Sequence, residues 1–283
     1  MQRSDCDISD YEFRLLRDHI HDYCGIYFDD TKVQVLASRL TFRMRLLDIK
    51  SYAEYYNHLK YNPRSNEEMD DLVPHLTNNE TYFFREMNQL NFFVGEILRK
   101  VKAQKMERGD KKIRVLSCGC SSGEEAFTLA ILLEEAGVYD LGWDVEITGI
   151  DIDRKVLDKA ETGLYTSYSL RAAEKSSIDK YFEKEGDRYR LKDRIRRRVS
   201  FRRANLLDRA AFSMFRGADA ILCRNVFIYF SDSAIRSIAE GYYETLSDTG
   251  YLLLGHSEAL SRITDIFYPK RFPSVIVYSK KDV

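Results

Sequence analysis

Cysteine is scarce in this chain, five residues in 283, and none of the five stands in a C-x-x-C pair. Cys6, Cys24, Cys118, Cys120 and Cys223 therefore make neither a disulfide framework nor a zinc site of ordinary ligand spacing. Cys118, Cys120 and Cys223 fall on or beside apolar runs, where a thiol acts as a small buried hydrophobe. The five histidines are scattered, and His19 and His21, two apart in a helical pattern, face different ways, so no metal is expected. No apolar run approaches the ~18 residues of a transmembrane helix. The charged start MQRSDCD is not a signal peptide, which makes a cytoplasmic protein without membrane insertion the expectation. A net charge of −1 and the lack of an RNA-binding motif argue against a nucleic-acid partner. They do so although residues 188 to 203 carry nine basic side chains against the single acid Asp193.

What is present concentrates in one stretch. VLSCGCSSGEEAFTLAILL, residues 115 to 133, reads as a buried strand, a glycine turn and an amphipathic helix in immediate succession. Ile113, Val115 and Leu116 supply the strand, and Ala126, Leu129, Ala130 and Leu133 carry the helical period. In a parallel sheet such a turn gathers backbone N–H groups at a helix N-terminus, and Gly119 and Gly123 let a ligand approach the backbone closely. The spacing is G-x-x-x-G rather than the G-x-G-x-x-G of a dinucleotide site, and Glu124 and Glu125 open the helix. Two carboxylates suit the helix dipole but repel a pyrophosphate seated in the same turn. A ligand without phosphates and with positive charge fits better, and S-adenosylmethionine is one; the bland alternative is an ordinary strand-helix turn.

A second strand ends in GIDID, and Asp151 at its end is placed to accept hydrogen bonds from both ribose hydroxyls of an adenosine. Asp153 is either an alternative ribose ligand or a helix N-cap. VSFRRANLLD, from Val199, and ADAILCRNVFIYF, from Ala218, read as further strands that leave through loops at Asn205 and at Arg224 and Asn225. Ligands of open α/β sheets sit outside the carboxyl ends of the strands, which places Asn205 and Asn225 to bond adenine and the amino-acid end of a cofactor. GYLLLGHSE, from Gly250, and PSVIVYSKK, from Pro273, form an antiparallel closing pair. Gly186 lies between short alternating segments, so the insertion at about 165–198 reads as a small antiparallel β appendage. The expected fold is α/β: a Rossmann-like class I methyltransferase sheet, parallel with an antiparallel closing strand. A small N-terminal all-helical domain precedes it.

That helical domain spans residues 1–85, ahead of a catalytic domain at 86–283. One helix runs from about Ser9 to Tyr23 with Gly25 as its stop, a second follows Asp29, Asp30 and Thr31, and a third begins at Ser51, with Glu54 completing a capping box. In the second, Val33, Leu36, Leu40 and Leu47 form an apolar stripe flanked by Lys32, Arg39 and Arg43, while Arg45 points elsewhere. A solvated helix face is the plain reading of those charges.

LTNNETYFFRE at 76–86, followed in order by GCSSGEEA, GIDID, ANLL and CRNVFIYF, resembles the chemotaxis receptor glutamate methyltransferases, the CheR family, from about Tyr11 to the C-terminus. The resemblance implies methyl transfer from S-adenosylmethionine to the γ-carboxylates of glutamates on chemoreceptor cytoplasmic helices. The products would be glutamyl methyl esters, made in chemotactic adaptation, and S-adenosylhomocysteine. Carried over by position, it implies cofactor contacts at Asn79, Thr81, Arg85, Gly119, Glu124, Asp151, Asn205, Leu206 and Asn225. Tyr229 and Arg99 would stand beside the reacting methyl group, although Tyr229 also reads as a core tyrosine between Phe227 and Phe230. Arg39, Arg43 and Arg45 would face the acidic methylation region of the receptor, with Phe42 where the family often has arginine. The short EKEGDRYR segment argues against tethering to a receptor's C-terminal pentapeptide, and a monomer is expected.

Overall fold

A computed structural model describes residues 8–273 and 275–280. Cys6 and the MQRSDCD start lie outside the described residues, as do Ser274 and Lys281 of the strand read from Pro273. The chain divides into two compact units, one running to Asn79 and including Tyr229–Ala234, the other made of Glu80–Ile228 and Ile235 onward.

The first unit is helical. Helix α1, Asp10–Cys24, opens on a reciprocal capping box between Ser9 and Glu12 and closes at Gly25 in the left-handed region (φ +77°). A Cβ at Gly25 would fall 2.8 Å from Phe230 Cδ1, so glycine is needed here for space as well as conformation. The Asp29 side chain accepts from the Thr31 N–H ahead of α2, Val33–Leu46. Ser51 accepts from the Glu54 N–H to start α3, Tyr52–Tyr61. Helix α4, Ser65–Leu76, contains Pro74 and is not legible in the sequence. Leu16, Ile20, Leu36, Leu40, Tyr55 and Leu72 are fully buried, and this core repeats the three- and four-residue apolar spacing of the helices. Tyr229–Ala234 joins through an antiparallel bridge between Ile26 and Phe230 and a 2.9 Å bond from Tyr27 N–H to the Tyr229 carbonyl.

The second unit starts with α5, Met87–Phe92, which runs through a π-helical turn at Phe93–Ile97 into α6, Leu98–Glu107. Then follow β1 (Lys112–Cys118), α7 (Glu124–Glu135), β2 (Asp144–Asp151) and α8 (Arg154–Thr162). An insertion carries β3 (Leu164–Thr166), α9 (Lys175–Tyr181), β4 (Phe182–Glu185), β5 (Arg188–Leu191) and α10 (Asp193–Arg196). The chain returns through β6 (Val199–Arg203), α11 (Arg209–Phe212), β7 (Ala218–Cys223), α12 (Asp232–Thr245), β8 (Leu246–Leu254), β9 (Tyr268–Arg271) and β10 (Ile276–Ser279). The main sheet has the order β6-β2-β1-β7-β8-β10-β9. Its first five strands are parallel, and β10 runs antiparallel to β8 and β9. All six residues of β7 are buried, as expected of a strand covered by helices on both faces.

The chain leaves β1 toward β2 and β6, then returns to place β7 on the other side of β1, which makes the carboxyl ends of β1 and β7 a topological switch point. The insertion forms a separate antiparallel sheet, β3-β5-β4, with β4 and β5 joined by the two-residue turn Gly186-Asp187. The mixed sheet and the β appendage match the expected fold, while the edge strand β9 carries no sequence signal. The first unit ends earlier than residue 85 because Phe83 belongs to the second unit's core, packed edge-on against Tyr165 and Phe182. Among the described residues no helix is long and apolar enough to cross a membrane, and no group of three or more side chains has metal-ligand geometry.

Candidate active site

The turn after β1 folds as its glycines dictate. Gly119 (φ +68°), Ser121 (φ +48°) and Gly123 (φ +89°) all occupy the left-handed region. A Cβ on Gly119 would stand 2.5 Å from Val226 Cγ2, and one on Gly123 2.8 Å from Phe201 Cζ, so neither position admits a larger residue without displacing its neighbour.

Asp151 stitches this turn to the end of β2. Its Oδ2 accepts from the Ser121 N–H at 2.8 Å and its Oδ1 from the Asp153 N–H at 3.0 Å. A carboxylate has about four acceptor sites, so these bonds and one from the Ile152 N–H still leave room for a ribose hydroxyl. Asp153 is the N-cap of α8, accepting from the Lys155 N–H at 2.8 Å. The Ser121 hydroxyl is buried beside Asp151 without a hydrogen-bond partner, an orphaned polar group that a polar ligand in this crevice would satisfy. Glycine turn, carboxylate and orphaned hydroxyl together fit an adenosine-bearing cofactor.

Burial pushes the Asp151 carboxyl up to about 6. Ionising it from its ordinary 3.8 therefore costs the folded protein stability as pH rises toward 6, and hydroxyl donors from a ligand offset that cost. S-adenosylhomocysteine affinity is expected to fall about tenfold per pH unit below ~6 and to level off above it. Calorimetric titrations between pH 5 and 8 check this, with Asp151→Asn as the control that loses the slope. A wild-type affinity flat across that range contradicts the assignment.

Glu124 is buried at the start of α7. It accepts from the Ser122 hydroxyl at 2.9 and 3.1 Å and from the Ser169 hydroxyl at 3.2 Å, with Thr81 as a further partner. Burial raises its pKa against those bonds. The carboxylate thus joins the glycine turn to the Thr81 segment and to the insertion. Phe84 and Glu86 both take left-handed backbone, Phe83 N–H donates to the Ser169 carbonyl at 2.9 Å, and Phe84 N–H to the Thr128 hydroxyl at 3.1 Å. This kinked strap leaves Arg85 partly exposed, its Nη1 donating to the Glu80 carbonyl at 2.8 Å.

Arg224 fixes the strap to the sheet. Its side chain is 2 % exposed. It donates to Gln89 Oε1 at 2.7 Å, Glu125 Oε2 at 2.9 Å, the Arg85 carbonyl at 2.9 Å and Glu86 Oε2 at 3.3 Å. Glu86 Oε1 in turn accepts from Asn225 Nδ2 at 3.2 Å and meets His256 Nδ1 at 2.9 Å. Burial alone would raise the Glu86 pKa, but Arg224, Asn225 and His256 outweigh it and hold the carboxyl below its ordinary value. Asn205 accepts from the Leu207 N–H at 3.1 Å, Leu206 is buried, and Ala204 N–H donates to the Asp151 carbonyl at 3.0 Å.

Thr81, Arg85, Gly119, Glu124, Asp151, Asn205, Leu206 and Asn225 thus converge on the carboxyl edge of the second unit. Asn79 and Tyr229 belong to the first unit. Asn79 Oδ1 accepts from the Thr77 hydroxyl at 2.8 Å, and the Tyr229 hydroxyl donates to the carbonyl of the adjacent Asn78 at 2.8 Å. That bond ends in backbone at a part-exposed position, so Tyr229 is not a core tyrosine.

Two expectations are corrected. Arg99 lies one full helix beyond the strap, about 20 Å along α5 and α6 from Glu86 at 1.5 Å per residue. It is 70 % exposed there and paired only loosely with Glu96, at 3.3 Å. It has no place beside a reacting methyl group. Arg43 is only 7 % exposed. It forks onto Glu68 at 3.0 and 2.6 Å and reaches Asp71 at 3.2 Å, so it is an internal strut and not part of a receptor-facing surface. Arg39 is half-buried, donating to the Leu76 carbonyl and lying over the Phe28 ring, while Arg45 is exposed.

Part of the basic run of the insertion is engaged by the protein's own groups at its surface. Arg190 pairs with Glu185, Arg194 with Glu134 and Arg196 with Asp193, while Arg198 covers the Tyr139 ring at 3.9 Å. Glu86, Arg224 and Glu258 lie in the sequence motifs FFRE, CRN and GHSE, but nothing in their spacing announces a shared network.

Comparison with known proteins agrees with this geometry. The family model described as CheR methyltransferase, SAM binding domain, matches residues 79–276, and that described as CheR methyltransferase, all-alpha domain, matches residues 11–77. The chain is 38 % identical over 274 residues to chemotaxis protein methyltransferase 2 of Vibrio cholerae, covering 96 % of this chain and 94 % of that protein. It is 32 % identical to chemotaxis protein methyltransferase 1 of Pseudomonas aeruginosa, covering 95 % and 98 %. A third relative, the chemotaxis protein methyltransferase of Borreliella burgdorferi, is 31 % identical with 85 % of each chain covered. With both domains matched across nearly the whole chain, the protein belongs to the CheR family of S-adenosylmethionine-dependent chemotaxis methyltransferases.

Proposed function

We propose that the enzyme esterifies the γ-carboxylates of specific glutamates on the cytoplasmic helices of methyl-accepting chemoreceptors. The observation that carries this reading is the state of the acids at the carboxyl edge. Glu86 is committed to Arg224, Asn225 and His256, Glu125 to Arg224 and the Ser117 hydroxyl, and Glu258 to four backbone N–H groups. Each is already engaged, so none is spare to act as a general base. A nucleophile that needs no base suits such a site, and a glutamate side chain, with an ordinary pKa near ~4.3, is ionised at neutral pH.

S-adenosylmethionine, when bound, supplies a methyl group made electrophilic by its sulfonium. Asp151 holds the ribose hydroxyls, and Asn205, Leu206 and Asn225 border the remainder of the cofactor with Asn79, Thr81 and Gly119. Glu124 acts by fixing the turn. Tyr229 orients the acceptor carboxylate by turning its hydroxyl proton from the Asn78 carbonyl to a carboxylate oxygen, and Arg85 takes the steering role expected of Arg99. Positioning of this kind is worth up to ~7–11 kcal/mol in well-oriented reactions, enough to dispense with acid-base chemistry.

Receptor selection falls to Arg45 and the exposed part of Arg39, whose positive charge raises the encounter rate with an acidic helical bundle. The tight β4–β5 turn accords with recognition that does not depend on a C-terminal pentapeptide, and the enzyme acts as a cytoplasmic monomer.

Labelled methyl transferred to a receptor cytoplasmic fragment should be released as volatile methanol in mild alkali, since esters hydrolyse and methylated nitrogen does not. Tyr229→Phe should lower kcat about 10- to 100-fold, the value of one hydrogen bond to a charged group, with S-adenosylhomocysteine affinity within about twofold of wild type. Alkali-stable label would overturn the glutamate assignment, and unchanged kcat would remove Tyr229 from the chemistry.

A further inference from the structure

Glu258 lies beyond the end of β8 and is 8 % exposed. Its Oε1 accepts from the Val226 and Phe227 N–H groups at 2.8 and 2.7 Å, and its Oε2 from the Asn225 and Gly255 N–H groups at 2.9 and 2.7 Å. All four acceptor sites of the carboxylate are filled by backbone donors, which is how a buried charge is tolerated without a cation beside it. Three of the donors are consecutive residues of the loop that leaves β7, and the fourth sits at the end of its parallel neighbour β8. The carboxylate therefore pins two strand ends together at the crevice.

The loop needs such a pin. Asn225 is held at φ +60°, in the left-handed region that side chains with a Cβ seldom occupy. In that conformation the backbone N–H groups of residues 225–227 converge on one point, as in an anion nest. The same conformation carries the Asn225 amide to Glu86. Gly255 is the other half of the arrangement, since a Cβ there would stand 2.6 Å from Glu258 Oε2 and 2.9 Å from Asn225 N.

We propose that Glu258 is a positioning residue for the methyl transfer, acting through Asn225 by holding the post-β7 loop in its left-handed form. The proposal rests on the reading of Asn225 as a cofactor contact. Glutamine at 258 turns one acceptor oxygen into an NH2 donor facing two N–H groups, so the loop must leave its place.

The test is a double-substitution cycle on the full chain, with S-adenosylhomocysteine affinity measured by calorimetry and folding by thermal unfolding. Asn225→Ala alone should weaken binding about tenfold, and Glu258→Gln alone by several-fold up to the same amount. In the Asn225→Ala background, Glu258→Gln should add less than about twofold, because the residue it positions is gone. A full additional loss in that background, or a lower unfolding temperature with native affinity, assigns Glu258 to general stability and overturns the proposal. Native affinity in Asn225→Ala alone refutes the Asn225 reading first, and the proposal with it. Should Glu258→Gln not fold, Gly255→Ala, which displaces the carboxylate without removing it, takes its place in the cycle with the same expected pattern.

Discussion

Arg224→Met is expected to cost about 3–5 kcal/mol of stability and nearly all affinity for S-adenosylmethionine. The guanidinium is almost wholly buried and touches two carboxylates, one amide oxygen and two backbone carbonyls from three different segments. Methionine fills the volume and leaves the part-buried Glu86 and Glu125 without this cation, which is the expensive way to break an ionic network. The strap from Glu80 to Glu86, with two left-handed residues to keep in place, then loses its tie to β7. Arg224→Lys recovers little, because a single ammonium cannot fork onto partners on several sides. Adding Glu86→Gln and Glu125→Gln to Arg224→Met should restore much of the stability, since no uncompensated charge remains, but not the binding. Denaturant unfolding and calorimetric titration of the four proteins separate these effects, and wild-type stability in Arg224→Met refutes the account.

This network also marks where the sequence stops being readable. The β1 turn, the β2 acid and the buried β7 were legible because each signal is local: an apolar run, two glycines four apart, a carboxylate at a strand end. Ser9 and Gly25 announced both ends of α1 for the same reason. The Arg224 contacts span 99 residues to Glu125 and 138 to Glu86, and no periodicity encodes a pairing at that distance. Arg99 failed from the opposite cause: a helix can be counted in sequence, but the depth at which a given turn lies below the sheet edge depends on packing. The left-handed Phe84 and Glu86 are invisible too, because neither is glycine and only the surrounding contacts hold them there.

Arg43 teaches the same lesson on the helical unit and yields the second large effect. On a helical wheel it flanks the apolar stripe of α2 like Arg39, and a flank position reads equally well as solvated or as buried against a partner. The partner is Glu68 on α4, which also accepts from the Tyr55 hydroxyl at 2.6 Å, while Asp71 adds a second acid. The Glu68 hydrogen bonds raise the Arg43 pKa, and burial together with Glu68 raises that of Tyr55. Arg43→Glu would set a third carboxylate against Glu68 and Asp71 in a closed space, so a loss of at least ~3–5 kcal/mol and unfolding of the helical unit are expected. Arg45→Glu, at an exposed position, should cost much less stability than Arg43→Glu. It should instead slow receptor-fragment methylation at low ionic strength, with the difference fading as salt rises toward ~0.5 M. Circular dichroism melts and methylation rates across a salt series distinguish the two variants. A folded Arg43→Glu protein would deny the strut, and a salt-independent defect in Arg45→Glu would deny that its charge steers the receptor.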